Sequence, residues 1–449
     1  MPLIALAKGW QRTFRFKLKA PFTVNIERII PGGRGLAFYE GRATFVPFSV
    51  PGDRILIQQC EDRRHYLSAQ SISVVEASPQ RVAAPCPYFG KCGGCNFQHM
   101  SYERQLASKK EILVDALKHV GKIDFPTSEV SLIPSPPLGY RNRLQLKISH
   151  HGADFSWGFF QHASHQVIAV ENCLIASQDL WGFLSSLQQV FKASPLLRNR
   201  LTEVEVFQGR PHEYLVELRI GAGASDLELL GKELRLSAMN LGGAEVSFFL
   251  SLPSGKALKI SGKGFVWKKI GDLEYRVSRG SFFQVNDYLL ERLRDCAVSG
   301  FSGKRVLDFY CGVGFFSLAL AKNFEEVWAV ELNGSAVQDF QENVKHNQVA
   351  NCTLFAQDLR SFIREHGSLQ AELILIDPPR MGLAKESIEQ VSTIGAIDVV
   401  YVSCDPSTLA RDLRIFLNQQ YQICSLNVLD LFPQTHHLET VARLRKARP

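Results

Sequence analysis

The chain of 449 residues is too long for one small domain, and two to four domains are expected. At 45% hydrophobic and 21% charged it has an ordinary globular composition, and no apolar run approaches the roughly 18 residues of a membrane helix. The net charge of +7 is uneven: residues 1–75 hold eleven Lys and Arg against five Asp and Glu, an excess that points to a polyanionic partner.

The start, "MPLIALAKGW", lacks a basic n-region and a full apolar core, so no signal peptide is expected. A cytoplasmic location follows, with the ten cysteines reduced, metal-bound or catalytic. Residues 17–75 set short apolar segments between glycines and prolines, the rhythm of a small β-barrel. In "PCPYFGKCGGCNF", Cys86, Cys92 and Cys95 fall within ten residues, and Cys173 in "ENCLIA" is a distant fourth. Such crowding reads as a metal site. Zinc ribbons usually pair two C-x2-C knuckles and this chain has one, while four thiolates also suit a [4Fe–4S] cluster; spacing alone leaves both open. "SYERQLASKKEILVDALKHV" reads as a helix over 101–120 with Ser101 as N-cap and Leu106, Leu113, Leu117 and Val120 as its apolar stripe.

From about 140 to 280 the period is mostly two, predicting a largely antiparallel sheet in a central β-rich domain spanning 76–280. From about 287 strands and helices alternate, with strands expected near 304–309, 326–331, 352–356, 372–377 and 398–403. This predicts a doubly wound parallel sheet over 281–449, closed by antiparallel strands near 421–429 and 438–444.

The chemistry concentrates in that last region. "RVLDFYCGVGFFSLALA" runs from strand to helix with Gly312 and Gly314 at the turn, and Glu331 ends the next strand nineteen residues after Gly312. An acid there can bind ribose hydroxyls. Ser317 stands where a dinucleotide fold has its third glycine, which suits a nucleoside without phosphates, S-adenosylmethionine foremost. Asp358, at the exit of the third strand, can reach an adenine amino group. "LILIDPPR" holds Asp377 rigidly before two prolines at the end of the fourth strand. "VVYVSCDPSTLARDL" then places Cys404 at the exit of the fifth. A lone strand-end cysteine is ordinarily a packed core residue. Beside a methyl donor, a thiol has a specific use. C5 of uracil is a weak nucleophile until a thiolate adds to C6, and a base must afterwards remove the C5 proton. "FPQTHHLETVARL" offers Glu439 as that base. The histidine pairs at 150–151 and 436–437 read as surface.

"DFYCGVG", "DPPR", "SCDP", "FFQVN" and the Phe-Pro, Thr, His, Glu pattern of 432–439 make the chain resemble the uracil-C5 RNA methyltransferases, specifically the iron–sulfur type acting on 23S rRNA. The resemblance covers nearly the whole chain. It implies a class I (Rossmann-like) methyltransferase domain beside a TRAM-like RNA-binding barrel at 17–75. Cys404 would be the nucleophile and Glu439 the base. Gln284, Tyr310, Glu331 and Asp377 would hold cofactor or substrate beside the glycine loop, and Asp358 the adenine end. Cys86, Cys92, Cys95 and Cys173 would ligate a [4Fe–4S] cluster, with zinc the alternative. Phe315 departs from the small or polar residue common in that loop. The implied activity forms 5-methyluridine in 23S rRNA, by a monomer with no membrane partner. The alternatives are a tRNA (uracil-C5)-methyltransferase and a non-catalytic RNA-binding iron–sulfur protein.

Overall fold

A computed structural model describes residues 21–152, 154–221, 227–238, 241–366 and 369–447. Strands β1 (Phe22–Asn25), β2 (Arg28–Ile30), β3 (Arg34–Tyr39), β4 (Arg42–Val46), β5 (Arg54–Arg63) and β6 (Tyr66–Glu76) form one curled sheet in the order β1-β5-β6-β4-β3-β2. Alternation builds it: Phe22 and Val24 point inward, Thr23 and Asn25 outward. Repeated register shifts between β5 and β6 bend these long strands around the core.

The described part of the barrel carries little of the basic excess counted over residues 1–75. Lys8, Arg12, Arg15, Lys17 and Lys19 lie outside the described residues. From residue 21 to 75, six bases face five acids, and Arg28, Arg42, Arg54 and Arg63 pair with Asp115, Asp62, Glu76 and Glu61. The pair with Asp115 also fastens the barrel to the following helix. Fully buried Asp53 adds a second tie, accepting from Val50 N, Ser78 N and Arg81.

Helix α1 (Tyr102–Ala116) begins as expected, with Ser101 Oγ accepting from Arg104 N at 3.2 Å. Its buried face holds Leu113 and Leu117 of the predicted stripe but extends to polar residues beside them. Gln105, Ser108, Lys109, Ile112, Leu113 and Ala116 are buried, while Val120 is 44% exposed. Strand β7 (Val130–Ile133) follows.

The central sheet contains β8 (Arg143–His151), β9 (Asp154–Phe160), β10 (Val167–Ala169), β11 (Leu201–Gln208), β12 (Glu213–Ile220), β13 (Glu245–Ser251) and β14 (Ala257–Ser261). Its order is β10-β9-β8-β11-β12-β13-β14, antiparallel except for β12 and β13. Helices α2 (Gln178–Ala193), α3 (Pro195–Arg198) and α4 (Leu227–Ala238) break the period-two reading of this region. Ser177 caps α2, and Leu180, Phe183, Leu184, Leu187 and Phe191 give it a helical apolar face. "YRVSR" belongs to a separate hairpin, β15 (Phe265–Ile270) with β16 (Leu273–Ser278).

The last region contains α5 (Leu290–Val298), β17 (Gly303–Phe309), α6 (Ser317–Leu320), β18 (Phe324–Val330), α7 (Gly334–His346), β19 (Cys352–Phe355), α8 (Leu359–His366), β20 (Leu373–Ile376), α9 (Lys385–Ile394), β21 (Asp398–Ser403), α10 (Pro406–Asn418), β22 (Tyr421–Leu429) and β23 (Glu439–Lys446). The sheet order is β19-β18-β17-β20-β21-β23-β22-β7. Strands β17 to β21 are parallel and β23 runs against both β21 and β22. The order reverses between β17 and β20, where such sheets open a crevice at the carboxyl ends of their strands. The eighth strand corrects the expected boundary at 281, because β7 completes this sheet by pairing in parallel with β22. Among the described residues no helix is long and apolar enough to cross a membrane.

Candidate active site

The loop after β17 reverses through two left-handed glycines. Gly312 has φ +55, and the space a Cβ would fill there is open. Gly314 has φ +91, and a Cβ would strike Leu318 and Phe340. Tyr310 also adopts a positive φ, +63, uncommon for a residue with a side chain. Val330 O accepts from the backbone N–H of both Tyr310 and Cys311 and holds this bend. Glu331 closes the loop from β18. Its carboxylate accepts from Gly312 N at 3.0 Å, Leu332 N at 2.8 Å and Asn333 N at 2.7 Å. Tyr310, Glu331, Leu332, Asp358 and Arg360 line one cleft of about 280 Å³. Asp358 is also the acceptor for Ser361 N and Ser361 Oγ at the start of α8. Phe315 turns away, packing with Tyr275, Phe283 and Phe316. Gln284 is buried in the loop after β16, outside the residues that line this cleft.

The second half of the site comes from strand register. Ser403 pairs with Thr440 in the antiparallel ladder of β21 and β23. One step further along that register stand Cys404 and Glu439. Pro406 starts α10 and Asp405 Oδ1 caps it, accepting from Thr408 N at 2.7 Å, so the chain turns sharply at Cys404. Asp377 leaves the neighbouring strand β20, its N–H donating to Phe309 O.

These groups feel each other's charge. Burial pushes the Cys404 thiol up to about 11, Glu439 and Asp377 add to this, and the hydrogen-bonding Arg380 guanidinium opposes it. Glu439, 3% exposed, is raised well above the usual carboxylate range by burial and by Asp377, against Arg380. Burial also lifts Asp377 to about 7. Asp308, fully buried at the end of β17, rises to about 7 by burial and by its neighbours Asp377 and Glu331, against a hydrogen bond from Ser317 Oγ.

The tRNA (uracil-5-)-methyltransferase family model matches residues 101–447. The chain belongs to that family. An RNA methyltransferase of Aquifex aeolicus is 32% identical to it, over 94% of this chain and 98% of that one. The 23S rRNA (uracil(1939)-C(5))-methyltransferase RlmD of Pseudomonas entomophila is also 32% identical, over 93% and 92%. Among solved structures, the Pyrococcus abyssi tRNA (uracil-54, C5)-methyltransferase in complex with S-adenosyl-L-homocysteine is similar with a TM-score of 0.72 at 25% identity, over 94% of this chain and all of that one. The fold is thus that of a class I methyltransferase with a TRAM-like barrel at its start.

Against this family background the four predicted ligand cysteines also come together. Cys86, Cys92, Cys95 and Cys173 line one cavity of about 200 Å³ with Tyr88, Gln98 and Arg141. Among the described residues, no three His, Cys, Asp or Glu side chains are placed to hold a metal ion. Four cysteine thiols around one cavity are a donor set that suits a zinc ion or a [4Fe–4S] cluster alike.

Two features of the site escape a sequence reading. Arg380 stands in "DPPR" where an aromatic residue serves amino-methyltransferases, and its countercharge to Cys404 appears only once β20 and β21 are neighbours. His436 and His437 are half-buried rather than surface residues, pushed down to about 4 and about 3 by burial and by nearby cations.

Proposed function

We propose that this enzyme transfers a methyl group from S-adenosylmethionine to C5 of a specific uridine in 23S rRNA. What supports this reading is that the ladder of β21 and β23 ends at Ser403 and Thr440, with Cys404 and Glu439 the next residue on each strand, and that Glu439 acts on the Cys404 thiol. Bound in the glycine-loop cleft, the cofactor supplies the methyl group. Cys404 Sγ attacks C6 of a flipped-out uracil as the thiolate, and electron density moves to C5 and O4. Arg380 offsets the charge on sulfur as it forms. After methylation, Glu439 takes the C5 proton. The C5–H electron pair becomes the C5–C6 double bond, the C6–Sγ bond breaks, and its pair returns to sulfur. A carboxylate with a raised pKa is a stronger base when ionised, which suits Glu439 to this step.

Tyr310, Glu331 and Asp358 would bind the cofactor's nucleoside; Gln284 and Asp377 would orient uracil. Cys86, Cys92, Cys95 and Cys173 would hold a [4Fe–4S] cluster. The ribosomal target rests on the RlmD relatives. A tRNA target is the second reading, because the Pyrococcus abyssi tRNA enzyme matches along its whole length and the barrel does not separate the two.

Glu439→Gln tests the chemistry. Addition and methyl transfer proceed, elimination stalls, and a methylated RNA–protein adduct should survive denaturing electrophoresis. Normal turnover by this variant would refute the assigned roles. Methyl transfer from labelled cofactor to separated 23S rRNA and tRNA decides the substrate, and no incorporation into either would leave a non-catalytic binding protein.

A further inference from the structure

Three distant parts of the chain meet at Asn96. The residue directly follows Cys95. Its Oδ1 accepts from His436 N at 3.0 Å, and its Nδ2 lies 2.8 Å from His436 Nδ1. The backbone N–H can only donate, so the amide orientation is fixed: oxygen toward the backbone, nitrogen toward the ring. The backbone N–H groups of Asn96 and Phe97 both donate to Gln434 O, at 3.1 and 3.0 Å. The barrel supplies the third part. Gly33, in the turn between β2 and β3, has φ +77, and a Cβ there would stand 2.9 Å from His436 Cβ and collide with Asn96 Nδ2.

His436 lies three residues before Glu439. The connection from β22 to β23 is gripped along its length. Lys109 Nζ, fully buried, binds Asp430 and Phe432 O; Tyr140 Oη donates to Pro433 O; Gln105 Nε2 donates to Gln434 Oε1. Those anchors hold residues 430–434. Asn96 holds 434–436, the stretch nearest the base.

We propose that Asn96 is a positioning residue for removal of the C5 proton. By fixing the backbone of 434–436 it sets where the Glu439 carboxylate stands, and it ties that step to the cysteine segment on one side and the barrel turn on the other. The inference rests on the reading of Glu439 as the base. Thiolate addition and methyl transfer use Cys404, Arg380 and the glycine loop, with none of which Asn96 is hydrogen-bonded, so its loss slows them less than it slows elimination. Elimination becomes the slow step.

The test uses the full chain purified anaerobically with its metal, labelled S-adenosylmethionine, and total RNA from cells lacking the protein. Asn96→Ala should slow turnover about 10- to 100-fold, the range expected when a reacting group is displaced by about 1 Å. The first methyl transfer should lose much less rate than turnover does, and the methylated adduct should accumulate on denaturing gels. Gly33→Ala presses on the same pair from the barrel and should accumulate the same adduct to a lesser extent; it keeps the test valid if Asn96→Ala misfolds. Asn96→Asp retains the acceptor for His436 N and should restore part of the turnover. If Glu439→Gln traps adduct while Asn96→Ala and Gly33→Ala do not, the role given to Asn96 is wrong. If Glu439→Gln also traps none, the fault lies with the assignment of the base.

Discussion

Cys404 and Cys95 meet the same cost in different company. Burial pushes both thiols up, to about 11 and about 12. Around Cys404 the other charges are mixed: Glu439 and Asp377 oppose the thiolate and Arg380 favours it. Around Cys95 the charges are those of other thiols, Cys173, Cys92 and Cys86, all of which oppose it, with a Gln98 hydrogen bond on the other side. A thiolate at Cys404 has a fixed cation and can exist briefly and be released. Four thiolates around one cavity repel each other until a metal compensates them. Cys404 and Cys95 thus differ less in burial than in the charges beside them; within the quartet, Cys173 has a cation of the chain, Arg141, acting on it.

The largest effect expected from this contrast is at Cys404. Cys404→Ala should abolish turnover while changing stability by about 1 kcal/mol. It should leave the metal in place. Measurable steady-state methylation by this variant would make the thiol a packing residue and end the comparison. Cys95→Ala should do the reverse to the metal. Anaerobically purified wild type should be brown, with about four irons and four sulfides per chain, and Cys95→Ala should lose them. One zinc per chain in a colourless wild type would remove the cluster and leave the methyltransferase standing.

How much of this contrast could be read from the residues alone depends on the range of the forces involved. The strand ends that carry Asp377, Cys404 and Glu439 were legible, because β-branched runs and proline-marked exits are local signals, and β21 spans the expected 398–403. The face of α1 was legible only at Leu113 and Leu117. Gln105 and Lys109 are buried because Gln434 and Asp430 receive them from more than 300 residues away, and no helical periodicity encodes that. Strand β7 was missed for the same reason: four residues carry little pattern, and their partner β22 lies at the other end of the chain. Little of the basic excess counted over residues 1–75 falls on the described barrel, where four of six arginines are ion-paired, and five of the counted bases lie outside the described residues.

A smaller effect isolates the countercharge. Arg380→Met removes the guanidinium but keeps an apolar stem of similar length. The thiol should rise further, and adduct formation at neutral pH should slow about tenfold, equivalent to about 1.4 kcal/mol. In the wild type the rate of adduct formation should climb with pH through 7 to 9, because the thiolate is the nucleophile and its pKa lies near 11. In the variant the climb should be displaced to higher pH. Superimposable profiles would show that Arg380 is not what separates Cys404 from the quartet.

The last effect falls on stability rather than turnover, and concerns the carboxylates rather than the thiols. Asp308 is fully buried, one of its oxygens has no hydrogen-bond partner, and its pKa is raised from 3.8 to about 7. Below about pH 4 the carboxyl is protonated folded or unfolded, and its contribution to stability is complete. Between about 4 and 7 the unfolded chain ionises first, so stability falls as pH rises, and above about 7 the loss is finished. The full shift is worth at most about 4 kcal/mol. Asp308→Asn removes the ionisation and keeps the shape, although a buried amide without a partner costs about 1–3 kcal/mol. Ligand-free wild type should therefore melt at lower temperature at pH 8 than at pH 5, and the variant should lose part of that difference, the remainder belonging to Asp377 and Glu439. Equal pH dependence in the two would mean that Asp308 is ionised at no cost. The acids along this sheet edge would then be as well compensated as Cys404 is by Arg380, and the contrast between a site with its own countercharge and one without would not extend beyond the cysteines.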